Sequence, residues 1–383
     1  MTIERDLCAF AASEIAADAA LAMMRLSILD WSVCAIAGGH EPAARIVREM
    51  ILAEGSARQA TLVGCEARVP ARAAALVNGV ASHALDFDDT HFAHIGHPSV
   101  AVIPAALAIA ELRGASGLQF LHAALIGAEA SIRVGVWLGR SHYQAGFHQT
   151  ATAGAFGATL AAGRLLQLDV GQTVHALGLV SSRAAGLKSQ FATMGKPMNA
   201  GSAAANGVEA ALLAAAGMTS DPHALDGAQG FAATHAGARD GAALTGLGED
   251  WLCENISHKF HACCRGLHAM LETLGSLRDR IDPGAVASVL ITAHPRWDSV
   301  CNIAAPTSGL EAKFSFRLTA AMALRHAQHF AAFGTESFRE SLNTHGGVER
   351  RKALVPDLEN LLAGVDAGLA AGEPEVAADC ALA

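Results

Sequence analysis

The sequence predicts a mainly α protein that carries a smaller α+β domain towards its C-terminal end. Alanine and glycine dominate the first two thirds of the 383 residues, and β-branched runs are scarce there. Alanine is the strongest helix former, and small side chains let helices pack closely. The composition changes near residue 250, where β-rich segments begin to occur between helical ones.

The helical period is clearest in one long segment near the N-terminus. In residues 17–37, apolar side chains recur at alternating steps of three and four residues, at Leu21, Met24, Ile28, Trp31 and Ala35. This spacing predicts one buried helical face. Other segments predict helices with less regular patterns; they are 78–86, 98–112, 118–138, 150–166, 170–184 and 200–217.

The C-terminal part has a different pattern. Residues 286–293 alternate, are rich in valine and isoleucine and precede His294-Pro295, which predicts a strand. A helix is expected over 315–326, and 349–383 carry weak signals for both structures. We therefore predict an all-helical core domain over 1–250 and an α+β lid domain over 251–383.

Composition and charge exclude several classes of protein. Hydrophobic residues make up 52% and charged residues 16% of the chain, which is typical of a globular protein and not of a disordered one. The net charge of −9 argues against nucleic acid as a partner but not against a small anion in a locally positive pocket.

Cysteine usage and the N-terminus bear on the compartment. Eight cysteines without a C-x-x-C pair predict reduced thiols, and the acidic N-terminus does not resemble a signal peptide. No uncharged apolar run reaches the length of a membrane span. A cytoplasmic protein without a membrane partner is expected. No glycine-rich phosphate loop follows a strand, so a nucleotide cofactor has no support.

The segment 83–98 is the most informative one for chemistry. It concentrates acids and imidazoles in a chain of low charge: Asp86, Asp88, Asp89, His83, His91, His94 and His97. A carboxylate that orients an imidazole supports proton transfer near neutral pH. The same groups suit a metal ion, although Gly96 and Pro98 break any helix that would present the histidines together. A third interpretation is structural, with the acids capping the next helix.

Two further polar segments interrupt the helical part. His148 precedes a predicted helix, where protonation of an imidazole is disfavoured, so a neutral base is expected there. Tyr143, the only tyrosine, can supply a phenolic proton. Lys196 lies in a predicted break between two alanine-rich helices, where it can bind a carboxylate or act as an acid–base group. Ordinary loop packing is the alternative for each residue.

A basic segment over 258–268 lies close to the predicted domain boundary. Lys259, His261 and Arg265 suit the binding of polycarboxylates. Cys263 and Cys264 are interpreted as small residues of a pocket wall or core, and a nucleophilic role is the alternative.

These motifs occur in the order seen in the MmgE/PrpD family, which the chain resembles from about residue 5 to residue 320. The motifs are the segments 85–90, 97–98, 147–148, 195–197, 224–227, 259–265 and 313–315. The family includes 2-methylcitrate dehydratases, cis-aconitate decarboxylases and iminodisuccinate epimerases. The resemblance implies a helical core with an α+β lid, a homodimer, no cofactor, no bound metal and a site between core and lid.

The resemblance also assigns site residues. It implies that Asp86, Thr90, His97, His148 and Lys196 face the substrate and that Lys259, Cys263 and Cys264 come from the edge of the lid. Together with the chemistry of the polar segments, this predicts catalytic roles for Asp86, His97, Tyr143, His148 and Lys196. It also predicts substrate contacts for Thr90, His91, Lys259, His261, Cys264 and Arg265. Two departures stand out. The decarboxylases carry a tyrosine where this chain has Leu318. The given sequence ends at Ala383, where the last lid strands are expected, so the C-terminal helices that normally return to the helical domain are expected to be missing. The residues that fill these motifs are most similar to those of the iminodisuccinate epimerase-like branch.

The reaction expected from these residues is removal of a proton α to a carboxylate of a small di- or tricarboxylate. Return of the proton to the opposite face gives epimerisation or isomerisation, which is the leading prediction. Departure of a leaving group makes the protein a lyase, either a dehydratase or a decarboxylase. A polycarboxylate-binding protein without catalysis and a metal-dependent hydrolase are the alternatives from other classes.

Overall fold

A computed structural model describes residues 2–324 except 56, 278, 279, 283 and 284. The chain divides into two compact units, Met1–His258 and Lys259–Ala383. Residues 325–383, which include the segment 349–383 with its weak signals for both strand and helix, lie outside the described part.

The first unit is built from helices, with one short hairpin of β1 (Ala60–Thr61) and β2 (Arg68–Val69). The helices are α1 (Ile3–Ala12), α2 (Asp18–Gly38), α3 (Pro42–Glu54), α4 (Ala71–His83), α5 (Ser99–Arg113), α6 (Gly117–Gln144), α7 (Gln149–Leu166), α8 (Val170–Ser181), α9 (Gly195–Ala215) and α10 (Phe231–Thr234). The prediction of a mainly α fold is confirmed.

The described part of the second unit is also helical. Its helices are α11 (His268–Leu277), α12 (Asp298–Cys301), α13 (Gly309–Ala312) and α14 (Phe316–Leu324). The strand predicted over 286–293 is wrong, because these residues form no ladder and Leu290 is 70% exposed. An alternating pattern becomes a strand only when a neighbouring strand accepts its hydrogen bonds, and the described residues of this unit offer only the isolated bridge Asn302–Ser315.

The buried face predicted for α2 is confirmed. Leu21, Met24, Trp31 and Ala35 are at most 9% exposed, with Ile28 partly buried beside them. Two helix boundaries differ from the predicted ones. The helix predicted over 78–86 is α4, which ends at His83 because Asp86 takes the left-handed region at φ 51°. Lys196 does not lie in a break between helices but in the first turn of α9.

Close helix packing positions the ends of α4 and α9. A Cβ on Gly79 would lie 2.8 Å from Gly201 Cα, so the two backbones meet at a place that tolerates only glycine. Gly79 lies one turn before His83, and Gly201 lies in the turn after Lys196. This contact therefore sets the distance between the two functional ends.

A buried ion pair ties the end of the first unit to α6. Arg133 Nε donates to Glu129 Oε1 at 2.7 Å, and the guanidinium also donates to the carbonyl oxygens of Ala243 and Thr245. Glu129 in turn accepts from the amide of Cys253. These bonds satisfy both charges, as a buried ion pair requires.

Two described helices are long and apolar enough to pass a membrane-span test by length and composition, namely α2 and α6. In α6, 89% of the apolar window is buried inside the protein, as in a core helix, whereas the value for α2 is 33%. This is weak support for a span, and the expected cytoplasmic location stays a prediction.

Candidate active site

Four elements of the first unit bring the candidate catalytic side chains together. His83 is the last residue of α4, and His148 is the N-cap residue of α7. Lys196 belongs to the first turn of α9, while Asp86, Asp88 and His97 come from the segment that joins α4 to α5. A helix terminus leaves backbone groups without intrahelical partners, so such ends commonly carry polar side chains.

Asp88 connects two of the imidazoles. Its Oδ2 lies 2.9 Å from His83 Nδ1 and 2.7 Å from His97 Nδ1, and its side chain is fully buried. Because a carboxylate only accepts hydrogen bonds, His83 Nδ1 carries the proton in this pair. The other nitrogen, His83 Nε2, is then a lone-pair acceptor; it is buried and has no hydrogen-bond partner among the described residues.

Lys196 forms the second charged contact of the site. Its Nζ donates to Asp86 Oδ1 at 2.8 Å, and His97 Nε2 lies 3.8 Å from the same oxygen. The positive φ of Asp86 turns the chain so that this carboxylate faces α9. Lys196 Nζ is also 5.6 Å from the centre of the Phe191 ring, which borders the ammonium group on an apolar side.

His148 completes the cluster. Its ring stacks on His83 with the centroids 5.9 Å apart, and Phe191 contacts it edge-on at 5.0 Å. Asn199 Nδ2 lies 3.2 Å from His148 Nδ1 and 3.3 Å from the Leu187 carbonyl oxygen, which identifies that atom as the amide nitrogen. An amide nitrogen only donates. His148 Nδ1 therefore accepts, and Nε2 carries the proton in the neutral ring.

The environment keeps these imidazoles neutral. Burial lowers the pKa of His83 to about 4, although the Asp88 carboxylate opposes the shift. Burial also lowers the pKa of His148 well below its usual range, and His83 and Lys196 act in the same direction. For Asp88, burial alone would raise the pKa, but the imidazoles of His83 and His97 hold it well below the ordinary value. The site thus contains an ionised Asp88 beside the neutral rings of His83 and His148.

Some of the acids and histidines of segment 83–98 have structural roles. Asp89 Oδ1 accepts from the amide of Ser99 at the start of α5, so the helix-capping interpretation is correct for this residue. Burial raises the pKa of Asp89 to about 6. His91 Nε2 donates to the Leu252 carbonyl oxygen, and its Nδ1 accepts from the amide of His94. A role for His91 in binding substrate would require one of these bonds to break.

Thr90 and Tyr143 make other contacts within the first unit. The Thr90 backbone pairs with Ser257, and its hydroxyl donates to the Ser257 carbonyl oxygen at 3.3 Å. Tyr143 belongs to the last turn of α6, where Lys188 Nζ lies 3.9 Å from the centre of its ring. Their predicted roles, substrate contact for Thr90 and catalysis for Tyr143, stay predictions.

The remaining predicted residues belong to the second unit. Lys259 is 5% exposed, and His261 Nε2 lies 2.6 Å from Glu272 Oε1. Arg265 Nη1 lies 3.3 Å from His268 Nδ1, and the backbone amide of Cys264 donates to the Lys313 carbonyl oxygen. Their assignment to substrate binding stays a prediction.

The donor set of the cluster also suits a metal ion. One atom from each of His83, Asp86, Asp88 and His97 lies within 4.8 Å of the others. Imidazole and carboxylate are common ligands of zinc, iron and manganese. An ion would compete with the Lys196 ammonium for Asp86 and with the proton on His83 Nδ1. The expectation that no metal is bound stays a prediction, which elemental analysis tests.

The sequence analysis did not single out two members of the cluster, because it considered His83 and Asp88 only within segment 83–98 and left both out of the predicted site residues. Both were part of the acidic and histidine-rich segment, where seven candidates share 15 positions and spacing alone cannot rank them. Their burial and their mutual hydrogen bond distinguish them. The chain does bring Asp86, His97, His148 and Lys196 together, as the motifs predicted.

Comparison with known proteins agrees with this arrangement. Residues 5–242 match the family model of the MmgE/PrpD N-terminal domain, which covers the residues of the cluster. Similar proteins include a cis-aconitate decarboxylase-like protein of Aspergillus oryzae, 31% identical over 283 residues, which are 70% of this chain and 58% of the relative. The cis-aconitate decarboxylase of Aspergillus terreus is 29% identical over 268 residues, which are 66% of this chain and 55% of the relative.

The human cis-aconitate decarboxylase is 37% identical over a shorter stretch of 174 residues, which are 44% of this chain and 36% of that protein. The chain thus spans about half the length of the curated relatives that it matches. These relatives support the lyase alternative. They do not support the epimerase branch that was predicted from the residues of the motifs.

Proposed function

Because the chain belongs to the MmgE/PrpD family, we propose that it is a cofactor-independent lyase that moves a proton at a carbon next to a carboxylate. The proposed substrate is a small di- or tricarboxylate, and cis-aconitate is the first candidate. The observation that carries the proposal is the buried cluster in which neutral His83 and His148, ionised Asp88 and the Lys196–Asp86 pair lie side by side.

The first requirement of this chemistry is stabilisation of negative charge. A carbanion next to a carboxylate delocalises into an enediolate, which needs a fixed positive group close to its oxygens. Lys196 Nζ is suited to this role, because its surroundings are buried and its present partner is a carboxylate oxygen 2.8 Å away. A substrate carboxylate would share or take over that interaction.

The second requirement is a positioned proton donor or acceptor. His83 Nε2 is an acceptor whose ring orientation is held by Asp88, and His148 Nε2 is a donor whose ring orientation is held by Asn199. Decarboxylation breaks the bond to the departing carboxylate, which leaves as carbon dioxide. The electron pair of that bond forms a new double bond to the middle carbon, and the electron pair of the old double bond takes up a proton at the far carbon. In this scheme the proton comes from His148 and is replaced from solvent.

A second candidate reaction is dehydration of a citrate-like hydroxy acid. It is favoured by Leu318, which stands where the decarboxylases have a tyrosine according to the resemblance. In this scheme His83 Nε2 takes the α proton, and His148 protonates the leaving hydroxyl group.

A product assay separates the candidates. The full chain is incubated with cis-aconitate, 2-methylcitrate and citrate, while carbon dioxide and new double bonds are followed. Release of carbon dioxide from cis-aconitate supports the main proposal, and loss of water from a hydroxy acid supports the second. Inversion of a stereocentre without loss of carbon dioxide or water would support the epimerase prediction. Binding without any turnover would identify a binding protein.

A further inference from the structure

Two thiols from separate segments of the second unit lie in direct contact. Cys264 precedes a short 3-10 turn, Arg265–Leu267, and Cys301 is the last residue of α12. Their Sγ atoms are 3.1 Å apart, and 37 positions separate the residues along the chain. A disulfide has an S–S distance of about 2.05 Å. A shift of about 1 Å therefore brings the two sulfur atoms to bonding distance.

The backbone on both sides holds this contact in place. The amide of Cys264 donates to the Lys313 carbonyl oxygen, and the amide of Ile303 donates to the Phe314 carbonyl oxygen, each at 3.1 Å. Both cysteine segments are thus bound to neighbouring residues of the turn that joins α13 to α14. The contact follows from the local fold and is not a chance approach of two mobile side chains.

Gly266 allows the segments to come this close. A Cβ at this position would lie 2.9 Å from Cys301 Sγ and 2.6 Å from Trp297 Cε3. Any larger residue would push α12 away from the turn that follows Cys264. The absence of a side chain at Gly266 is therefore part of what places the sulfur atoms together.

We propose that Cys264 and Cys301 are a reversible modification site that forms a disulfide when the protein meets a peroxide. Cys264 is 9% exposed and Cys301 is fully buried, so the peroxide reaches Cys264 first. The Cys264 thiol loses its proton and its sulfur attacks one peroxide oxygen; the O–O bond breaks, and the leaving hydroxide takes up that proton as water, which gives a sulfenic acid. The Cys301 sulfur, after losing its own proton, then attacks the Cys264 sulfur; the S–S bond forms, the S–O bond breaks, and the hydroxide leaves with that proton as a second water.

The atoms and electrons of this reaction balance. Two thiols and one hydrogen peroxide give one disulfide and two waters, so the thiols lose two electrons and the peroxide gains them. A small thiol reductant reverses the reaction by exchange. None of its steps involves the histidine cluster of the first unit, although Cys264 is also one of the residues predicted to contact substrate.

Mass spectrometry of the full chain tests the proposal. The folded protein is treated with hydrogen peroxide, denatured in the presence of a thiol-alkylating reagent and weighed with and without a reductant. We expect a loss of about 2 Da with two thiols protected from alkylation, and full reversal by the reductant. Trypsin should release peptide 260–265 covalently linked to peptide 297–313, since both follow and end in basic residues.

The neighbouring cysteine provides a matched control, because peptide 260–265 contains both Cys263 and Cys264. Cys263→Ser should keep the link, whereas Cys264→Ser and Cys301→Ser should abolish it. In the unaltered protein, fragmentation of the linked peptide between positions 263 and 264 in the mass spectrometer also shows which cysteine carries the link. This measurement does not depend on the folding of a variant. A link through Cys263, oxygen addition without a link, or unreacted thiols at Cys264 and Cys301 would each overturn the proposal.

Discussion

Lys196 donates a hydrogen bond to Asp86 although 110 positions separate the two residues along the chain. Their side chains are only 6% and 4% exposed, so the pair is a buried one. A buried ion pair adds little net stability but is costly to break, because the remaining charge has lost both water and its partner. The pair is therefore better explained by chemistry than by stability, and its two contributions can be separated by mutation.

Lys196→Met is expected to lower kcat by about 100-fold to 1,000-fold, the range for loss of one fixed group that stabilises a developing oxyanion. It also leaves Asp86 unpaired, which should lower the free energy of unfolding by about 3 kcal/mol. The double variant with Asp86→Asn should recover most of the stability but none of the activity. Urea unfolding and steady-state kinetics measure both effects.

The exposed pair of Arg183 and Glu209 offers the control for this experiment. Arg183→Met should change stability by less than about 1 kcal/mol and leave kcat unaltered. If the double variant regained both stability and turnover, Lys196 would be a structural residue.

Asp88→Asn should reduce kcat through the orientation of the rings, since it keeps the shape of Asp88 but removes the acceptor charge that holds His83 and His97. We expect a loss of about 100-fold or more in kcat, with a smaller change in KM. The pH profile of kcat should also move, because the carboxylate that favours the protonated rings is gone. An unchanged pH profile together with a normal kcat in this variant would contradict the positioning role of Asp88.

The sequence predicted the helices and four of the residues that meet in the cluster, because both leave local patterns in the chain. The apolar period of α2 and the dense polar segment before α5 are readable from neighbours in the chain. It could not rank His83 and Asp88 above His91 and Asp89, since that ranking depends on burial and partners supplied by other elements. The strand predicted over 286–293 was wrong for a related reason, as strand formation depends on a partner that sequence periodicity does not reveal.

Stability should fall as the pH is lowered from about 6.5 towards 4. The folded pKa of His83, about 4, lies below its ordinary value of 6.5, so the unfolded chain binds its proton first. The free energy of unfolding is therefore unaffected by His83 above pH 6.5. As the pH falls through this window, protonation of His83 in the unfolded chain lowers the free energy of unfolding by an amount on the order of 3 kcal/mol. His148 shifts in the same direction.

Urea unfolding at several pH values measures this slope. His83→Gln should flatten the dependence between pH 6.5 and 4, whereas His40→Gln at an exposed position should not. Equal slopes in the unaltered protein and the His83 variant would show that His83 is not buried in its neutral form.

The homodimer implied by the family resemblance has a candidate surface on α2. Leu26, Leu29, Val33 and Ile36 are each 53–62% exposed and recur at steps of three, four and three residues. This spacing is that of a helix–helix seam, and an isologous dimer pairs one such face with its own copy. We expect light scattering to report twice the chain mass of 39.3 kDa, and Leu29→Lys with Val33→Lys to give monomers. Leu187→Lys, at another exposed apolar position, is the control; monomers before mutation would contradict the prediction.

The central claim is that the cluster of His83, Asp88, His148 and Lys196 transfers a proton at a carbon next to a carboxylate. Incubation of the full chain in deuterated water with citrate-like, aconitate-like and aminodicarboxylate compounds, followed by NMR, tests it most directly. We predict that deuterium enters such a carbon of at least one compound or of its product, and that His148→Ala and Lys196→Ala abolish the transfer while remaining folded. Absence of deuterium from a compound that demonstrably binds, or full incorporation by both variants, would contradict the claim.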